Sequence, residues 1–190
     1  MQDLRQFIKS ISPEINDLEL DYVVAKFKIK SVEKNKFIIK RKQTCAEFVI
    51  VKKGLFRIFY LEKDKEINSW FAFEKTPVTE MHSFITRKPT EYSIQALEDS
   101  EIYSISYFDL HQLYKQFNSF QTFGLRLTEQ ILVKAIERLN SFQFETAEER
   151  YNKIIINQNF SQRIPLKEIA SFLGITPNSL SRLRKSNSKK

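Results

Sequence analysis

The stretch Pro165–Lys185, PLKEIASFLGITPNSLSRLRK, constrains the fold more than any other part of the chain. It spells a helix, a tight turn and a second helix. Ile169, Ala170 and Leu173 fall on one face of the first helix. Gly174 follows, where a left-handed residue ends a helix without a Cβ clash. Thr176 offers a hydroxyl as N-cap, and Pro177 takes the first helical position, where a missing N–H costs nothing. Leu180 and Leu183 form the inward face of the second helix, and Ala170 is small enough for two helices to cross closely. This is the helix-turn-helix layout, whose second helix enters a DNA major groove.

The outward residues suit that task. Beginning at Thr176, the second helix presents Asn178, Ser179, Ser181, Arg182 and Lys185. Asn reads adenine and Arg reads guanine through paired hydrogen bonds, while Ser and Lys hold phosphates. No acidic residue follows Glu168, but Arg182, Arg184, Lys185, Lys189 and Lys190 do. Double-stranded DNA is therefore the expected partner; a plain helical hairpin with a solvated basic tail is the competing reading.

Lys and Arg number 31 against 23 Asp and Glu, a net charge of +8 that suits a polyanion without proving one. The 17 phenylalanines supply ample core. No apolar run reaches the roughly 20 residues of a membrane span, and the first residues do not read as a secretory signal. Cys45 is the single cysteine, so disulfides within the chain and all-cysteine metal centres are excluded. A cytoplasmic location is expected. No Ser/His/Asp, metal-ligand or paired-carboxylate constellation stands out, so neither catalytic nor metal-binding residues are assigned and an enzyme is not expected.

Residues 1–25 predict two helices, the second capped by Ser12-Pro13 and carrying Ile15, Leu18 and Leu20. From Ala25, AKFKIKSVEKNKFIIK alternates apolar and basic residues, as a half-buried strand does. EFVIVKKGLFRIFYLEKDKEINSWFAF adds strands around Gly54 and a polar hairpin at Glu62–Lys65. YSIQALEDSEIYSISY supplies two more, turning at Glu98–Ser100. Short strands with turns at this spacing predict an antiparallel barrel or roll. A helix over Asp109–Phe117 and a long one from Phe120 to about Phe142 follow. Leu127, Ile131, Ala135 and Leu139 share one stripe of the long helix, assigned here to dimerisation; Leu125, Leu132 and Ile136 form a second apolar face. Thr146-Ala147-Glu148-Glu149 is a capping box that opens a new helix through Ile156, with a boundary near Glu145.

A roll, a long helix and a helix-turn-helix, in that order, resemble the Crp/Fnr family of bacterial transcription regulators. The resemblance rests on FLGITPNSLSRLRK, VIVKKGLFRIFY and QALEDSEIYSISYFDL, and is close to the short regulators of Bacteroidetes-type bacteria. It implies an α+β chain: a cyclic-nucleotide-binding jelly roll with N-terminal helices over 1–117, a dimerisation helix over 118–144, and a small helix-turn-helix unit over 145–190. A homodimer and RNA polymerase are implied partners, and no membrane is. Only Ser186–Lys190 follow the second helix, too short for the family's β-hairpin wing, so the basic tail is expected to take over backbone contacts.

The family's cyclic AMP site uses a Glu and an Arg around the phosphate. The resemblance puts Glu80 on the Glu, but Thr90, followed by Glu91, stands where the Arg belongs. No glycine lies between Glu74 and Glu80, and the purine-facing positions are Ala135 and Ile136. Arg87 and Lys88 are candidate replacement cations, and Glu91 is expected to repel an anion. No cofactor is therefore assigned, and tight cyclic AMP binding is disfavoured. Family sensors based on iron–sulfur clusters need four cysteines; a haem sensor needs an axial ligand such as His82. Two readings remain: a dimeric DNA-binding regulator with an altered effector site, or a sensor of a small molecule or anion that acts mainly through protein contacts.

Overall fold

The computed structural model describes residues 1–155 and 158–187. The elements, in order, are α1 (Gln2–Ile11), α2 (Asp17–Ala25), β1 (Lys28–Val32), β2 (Phe37–Ile39), β3 (Glu47–Lys53), β4 (Phe56–Glu62), β5 (Lys65–Ala72), α3 (Met81–Thr86), β6 (Tyr92–Ala96) and β7 (Ser100–Ser106). The helices α4 (Tyr107–Gln116), α5 (Asn118–Phe144), α6 (Ala147–Ile155), α7 (Gln158–Arg163), α8 (Leu166–Leu173) and α9 (Pro177–Asn187) complete the chain. One sheet has the order β1-β7-β3 and the other β2-β6-β4-β5, each antiparallel within itself. Consecutive strands β6 and β7 lie in different sheets, so the chain wraps the two into a roll. The fold is α+β, as expected.

Local chemistry sets the corners. Gly54, at φ +108°, joins β3 to β4, and Leu97 donates its N–H to the Leu55 carbonyl beside it. Lys63 and Asp64 both have left-handed backbone in the two-residue β4–β5 turn, which matches the twist of the strands they join. Phe48–Val51 are all buried, because one face of β3 meets the roll interior and α1 and α4 cover the other side. A run apolar on both faces therefore still forms a strand.

The long helix α5 is rooted in the roll. Phe120, Phe123 and Leu127 join the same core as Leu4, Ile8, Val23 and Leu113. Phe7 meets Phe123 edge to face at 6.1 Å, and Ser12 donates to the Ser119 carbonyl.

Three expectations change. Ser12-Pro13 does not cap the second helix; Asn16 does, accepting from the Glu19 N–H, while Ser12 is buried against α5. Leu18, expected inward, is exposed, because α2 begins four residues later than Pro13 and so presents a different face. β1 is not half-buried: it is an edge strand with Ile29 exposed, and the buried residues of that stretch are Phe27 and Ile39 at its ends. The capping box holds, with reciprocal bonds between Thr146 and Glu149. Ile156 lies outside the described residues.

A Cβ at Gly54 would stand 2.1 Å from the Ser100 hydroxyl and 2.8 Å from the Ser100 Cα, in a backbone conformation that L side chains avoid. Gly54→Ala is expected to cost about 1–3 kcal/mol from backbone strain, with the clash adding to it. Thermal unfolding should then show a fall of at least several degrees; an unchanged midpoint would mean the β3–β4 corner is drawn wrongly.

Candidate functional site

The C-terminal turn is built as its residues dictate. Gly174 ends α8 at φ +71°, and Ile175 donates back to the Ala170 carbonyl. Ala170 is fully buried where α8 crosses α9, with Ile169, Leu173 and Leu180 around it. The Thr176 hydroxyl accepts the Ser179 N–H at 3.1 Å and lies 3.0 Å from the Ser179 hydroxyl. Thr176 and Ser179 are thus engaged in capping α9, while Asn178, Ser181, Arg182 and Lys185 point to solvent. Lys189 and Lys190 lie outside the described residues.

The second candidate site surrounds α3. Glu80 is buried and caps α3, accepting the Ser83 N–H at 2.9 Å. Arg87 ends the helix in left-handed backbone. Its guanidinium donates to the Cys45 and Phe84 carbonyls and stacks 4.3 Å from the Tyr107 ring. Lys88 is exposed, and its carbonyl accepts from Ser83. Thr90 is fully buried: its backbone pairs with Lys42 and Gln43, and its hydroxyl accepts from the Tyr92 N–H. The five residues do not converge on one anion. Glu91 corrects its expected role, because it points outward and pairs with Arg41 at 2.6 Å. The Arg87 guanidinium is thus committed to two backbone carbonyls.

Neither His nor Cys forms a centre here. His82 is exposed on α3, and His111 is half-buried, stacked 4.0 Å from Tyr107. Cys45 is buried, and burial pushes its thiol up from the usual range.

A cavity of about 500 Å³ opens between the β4–β5 side of the roll and α5. Its wall is mainly apolar and includes Ile58, Trp70, Phe73 and Met81 from the roll. Ile131, Lys134, Ala135 and Arg138 close it from α5. The stripe assigned to dimerisation therefore changes. Leu127 is in the core of its own roll, and Ile131 and Ala135 face the cavity. The exposed stripe is Leu125, Leu132, Ile136 and Leu139, with Val133 beside it. Of the expected stripe Leu139 points outward, and Ala135 is exposed at the cavity mouth. Both faces of α5 are apolar, and the roll covers the one that starts at Phe120.

Residues 29–117 match the family model of the cyclic nucleotide-binding domain. A CooA variant from Carboxydothermus hydrogenoformans shares 18% identity at a TM-score of 0.70, covering 93% of this chain and 85% of its own. A crp/fnr-family protein from Eubacterium rectale shares 16% identity at a TM-score of 0.71, with 92% and 84% covered. The c-di-GMP responsive regulator CLP of Xanthomonas campestris shares 16% identity at 0.70, with 92% of each chain covered. This chain has the Crp/Fnr fold. No curated protein matches it by sequence. Among the described residues, no helix is long and apolar enough to cross a membrane.

In this chain the C-terminal helices are docked on the roll. Phe71 and Phe73 pack with Phe160 and Phe172, with ring centroids 5.2–5.8 Å apart. Arg57 on β4 is only 6% exposed. It reaches Glu168 on α8 at 2.9 Å, Glu66 at 2.6 Å and the Gln95 amide oxygen. Asn68 donates to the same Glu168 carboxylate, and Ser171 bonds the Asn68 N–H and Glu66 carbonyl. On the other flank, Arg163 bridges Glu74 and Glu98, and Glu74 also accepts from the Gly54 N–H. Arg163 holds the Glu74 carboxyl down to about 2. Sequence reasoning passed over Arg57 and Arg163. The available signal was an Arg inside the apolar strand FRIFY.

Arg57→Ala would leave the half-buried Glu168 without its cation. Removing one partner of such a pair typically costs about 3–5 kcal/mol. Expected readouts are a lower unfolding temperature and faster protease cleavage between Arg163 and Leu166; wild-type cleavage and stability would show that the docking rests on the aromatic cluster alone.

Proposed function

We propose that the protein is a dimeric, sequence-specific DNA-binding transcription regulator whose effector site is not built for cyclic AMP. The carrying observation is α9. Its turn is fully capped, its exposed face holds Asn178, Ser181, Arg182 and Lys185, and no acidic residue follows Glu168. Such a face pairs phosphate contacts with base-reading side chains. Thr90 at the Arg position supports the second half: among the described residues no ion pair of Glu80 is seen, and the nearby Arg87 guanidinium is held by the Cys45 and Phe84 carbonyls, so a cyclic phosphate there would lack its charge-assisted partner.

Residues 1–117 carry the effector roll, 118–144 the dimer helix and 145–190 the DNA-binding unit. The protein acts in the cytoplasm, through RNA polymerase. The other reading, a small-molecule sensor acting mainly through protein contacts, draws on the cavity beside α5. DNA binding separates them: a sensor of that kind would give no salt-dependent shift with any duplex.

Sites selected from a random duplex library provide the substrate. Arg182→Ala should weaken the selected site by about 1–3 kcal/mol and relax one base position. Equal loss on selected and random DNA would make Arg182 a phosphate contact.

For the dimer, the exposed stripe is the seam. Ile136→Glu should leave a folded monomer by light scattering, whereas the wild type should be dimeric. A wild type that is monomeric at micromolar concentration would sink the dimer.

A further inference from the structure

Arginines border the docked C-terminal helices, and two of them are matched by carboxylates. Arg57 meets Glu66 and Glu168, and Arg163 meets Glu74 and Glu98. Arg138 has no carboxylate partner among the described residues. It donates to the Phe172 carbonyl and lies between two rings, 3.5 Å from the Phe172 centroid and 4.2 Å from that of Phe142. Arg150 stands over the same Phe142 ring at 4.9 Å and donates to the Ser141, Glu145 and Leu173 carbonyls. Two cations thus share one aromatic ring. Burial, reinforced by Arg150, lowers the Arg138 guanidinium to about 10. A cation withdrawn from water without a counter-charge is costly.

Arg138 also lines the 500 Å³ cavity, and the exposed Lys134, one turn before it, lines it too. The far wall is apolar and aromatic, with Trp70, Phe73 and Met81. Glu80 lies between two cavity-lining residues, Thr79 and Met81, and caps α3 through the Ser83 N–H. The charged side chains that line the cavity, Lys134 and Arg138, therefore lie on α5, across from α3 where a cyclic phosphate would need its cation.

We propose that this cavity binds an organic carboxylate with an apolar body, its tail against Trp70, Phe73 and Met81 and its carboxylate on Arg138 and Lys134. The volume lies within the range of small-molecule pockets, and an apolar wall with few convergent polar groups is their usual make-up. The carboxylate supplies the counter-charge that Arg138 lacks. Because Arg138 also holds the Phe172 carbonyl of α8, occupancy is felt directly by the helix that carries α9. This rests on the proposed effector-regulated function only for its consequence at DNA; binding itself stands apart from it.

Trp70 is the single tryptophan and sits in the wall, so its fluorescence reports occupancy. The full chain is titrated with decanoate and with 4-phenylbutyrate, each beside its primary amide, and with cyclic AMP. The two acids separate an acyl from an aryl body. At least one acid should saturate and bind tenfold or more tightly than its amide, since hydrogen bonds to a charged partner are the stronger kind. Arg138→Gln should abolish that preference. Failure of both acids to saturate, or an amide equal to its acid on the wild type, overturns the proposal without reliance on the variant. A folded Arg138→Gln protein that keeps the preference also overturns it, as does cyclic AMP displacing the acid at micromolar concentration. Acid binding by a protein that retards no DNA would remove the regulator reading and leave this one intact.

Discussion

Arg57 lies on an apolar strand where solvent barely reaches, so its charge must be met on the spot. Glu66 supplies one counter-charge from the neighbouring strand, and Glu168 supplies the other from a helix far along the chain. The second is what ties the two halves together. Without α8 in place, Arg57, Asn68 and the outer face of Phe71 would all need other partners. The docking surface thus specifies orientation through charge and supplies attraction through rings. The aromatic cluster alone would tolerate a slide along the sheet; a carboxylate shared by Arg57 and Asn68 does not.

The helix α5 is the common wall of everything of interest. Its first turns are sunk in the roll core, its middle closes the cavity, and its C-terminal part meets α8 through Arg138. The opposite face is a row of exposed apolar side chains. One helix therefore touches the cavity, the docked helix pair and an open apolar face. The short path from cavity to α8 runs through one guanidinium rather than through the sheet.

The parts legible in the sequence were those fixed by neighbours in the chain. Gly174, Thr176 and Pro177 determine the turn locally, and Thr146 with Glu149 determines the start of α6, so both appear where the residues put them. The cap of α2 was misread because Ser12-Pro13 and Asn16 are both competent caps, and only the burial of Ser12 against Ser119 decides between them. The faces of α5 were exchanged for a related reason. Leu127 and Leu132 are equally apolar, and which one the roll covers depends on where α4 delivers the chain. Glu91 pairing with Arg41, and Arg163 with Glu74, join residues tens of positions apart, and no spacing announces them.

Cys45 closes the strand-side end of α3, with its thiol enclosed and directed at the Glu47 carbonyl. A single thiol out of reach of solvent leaves the surface chemically silent toward maleimides and other thiol reagents. A cysteine introduced at one exposed position of α9 would then carry the whole of any label added. Spectroscopic reporters of helix motion can be attached to this protein without first stripping out its native residue.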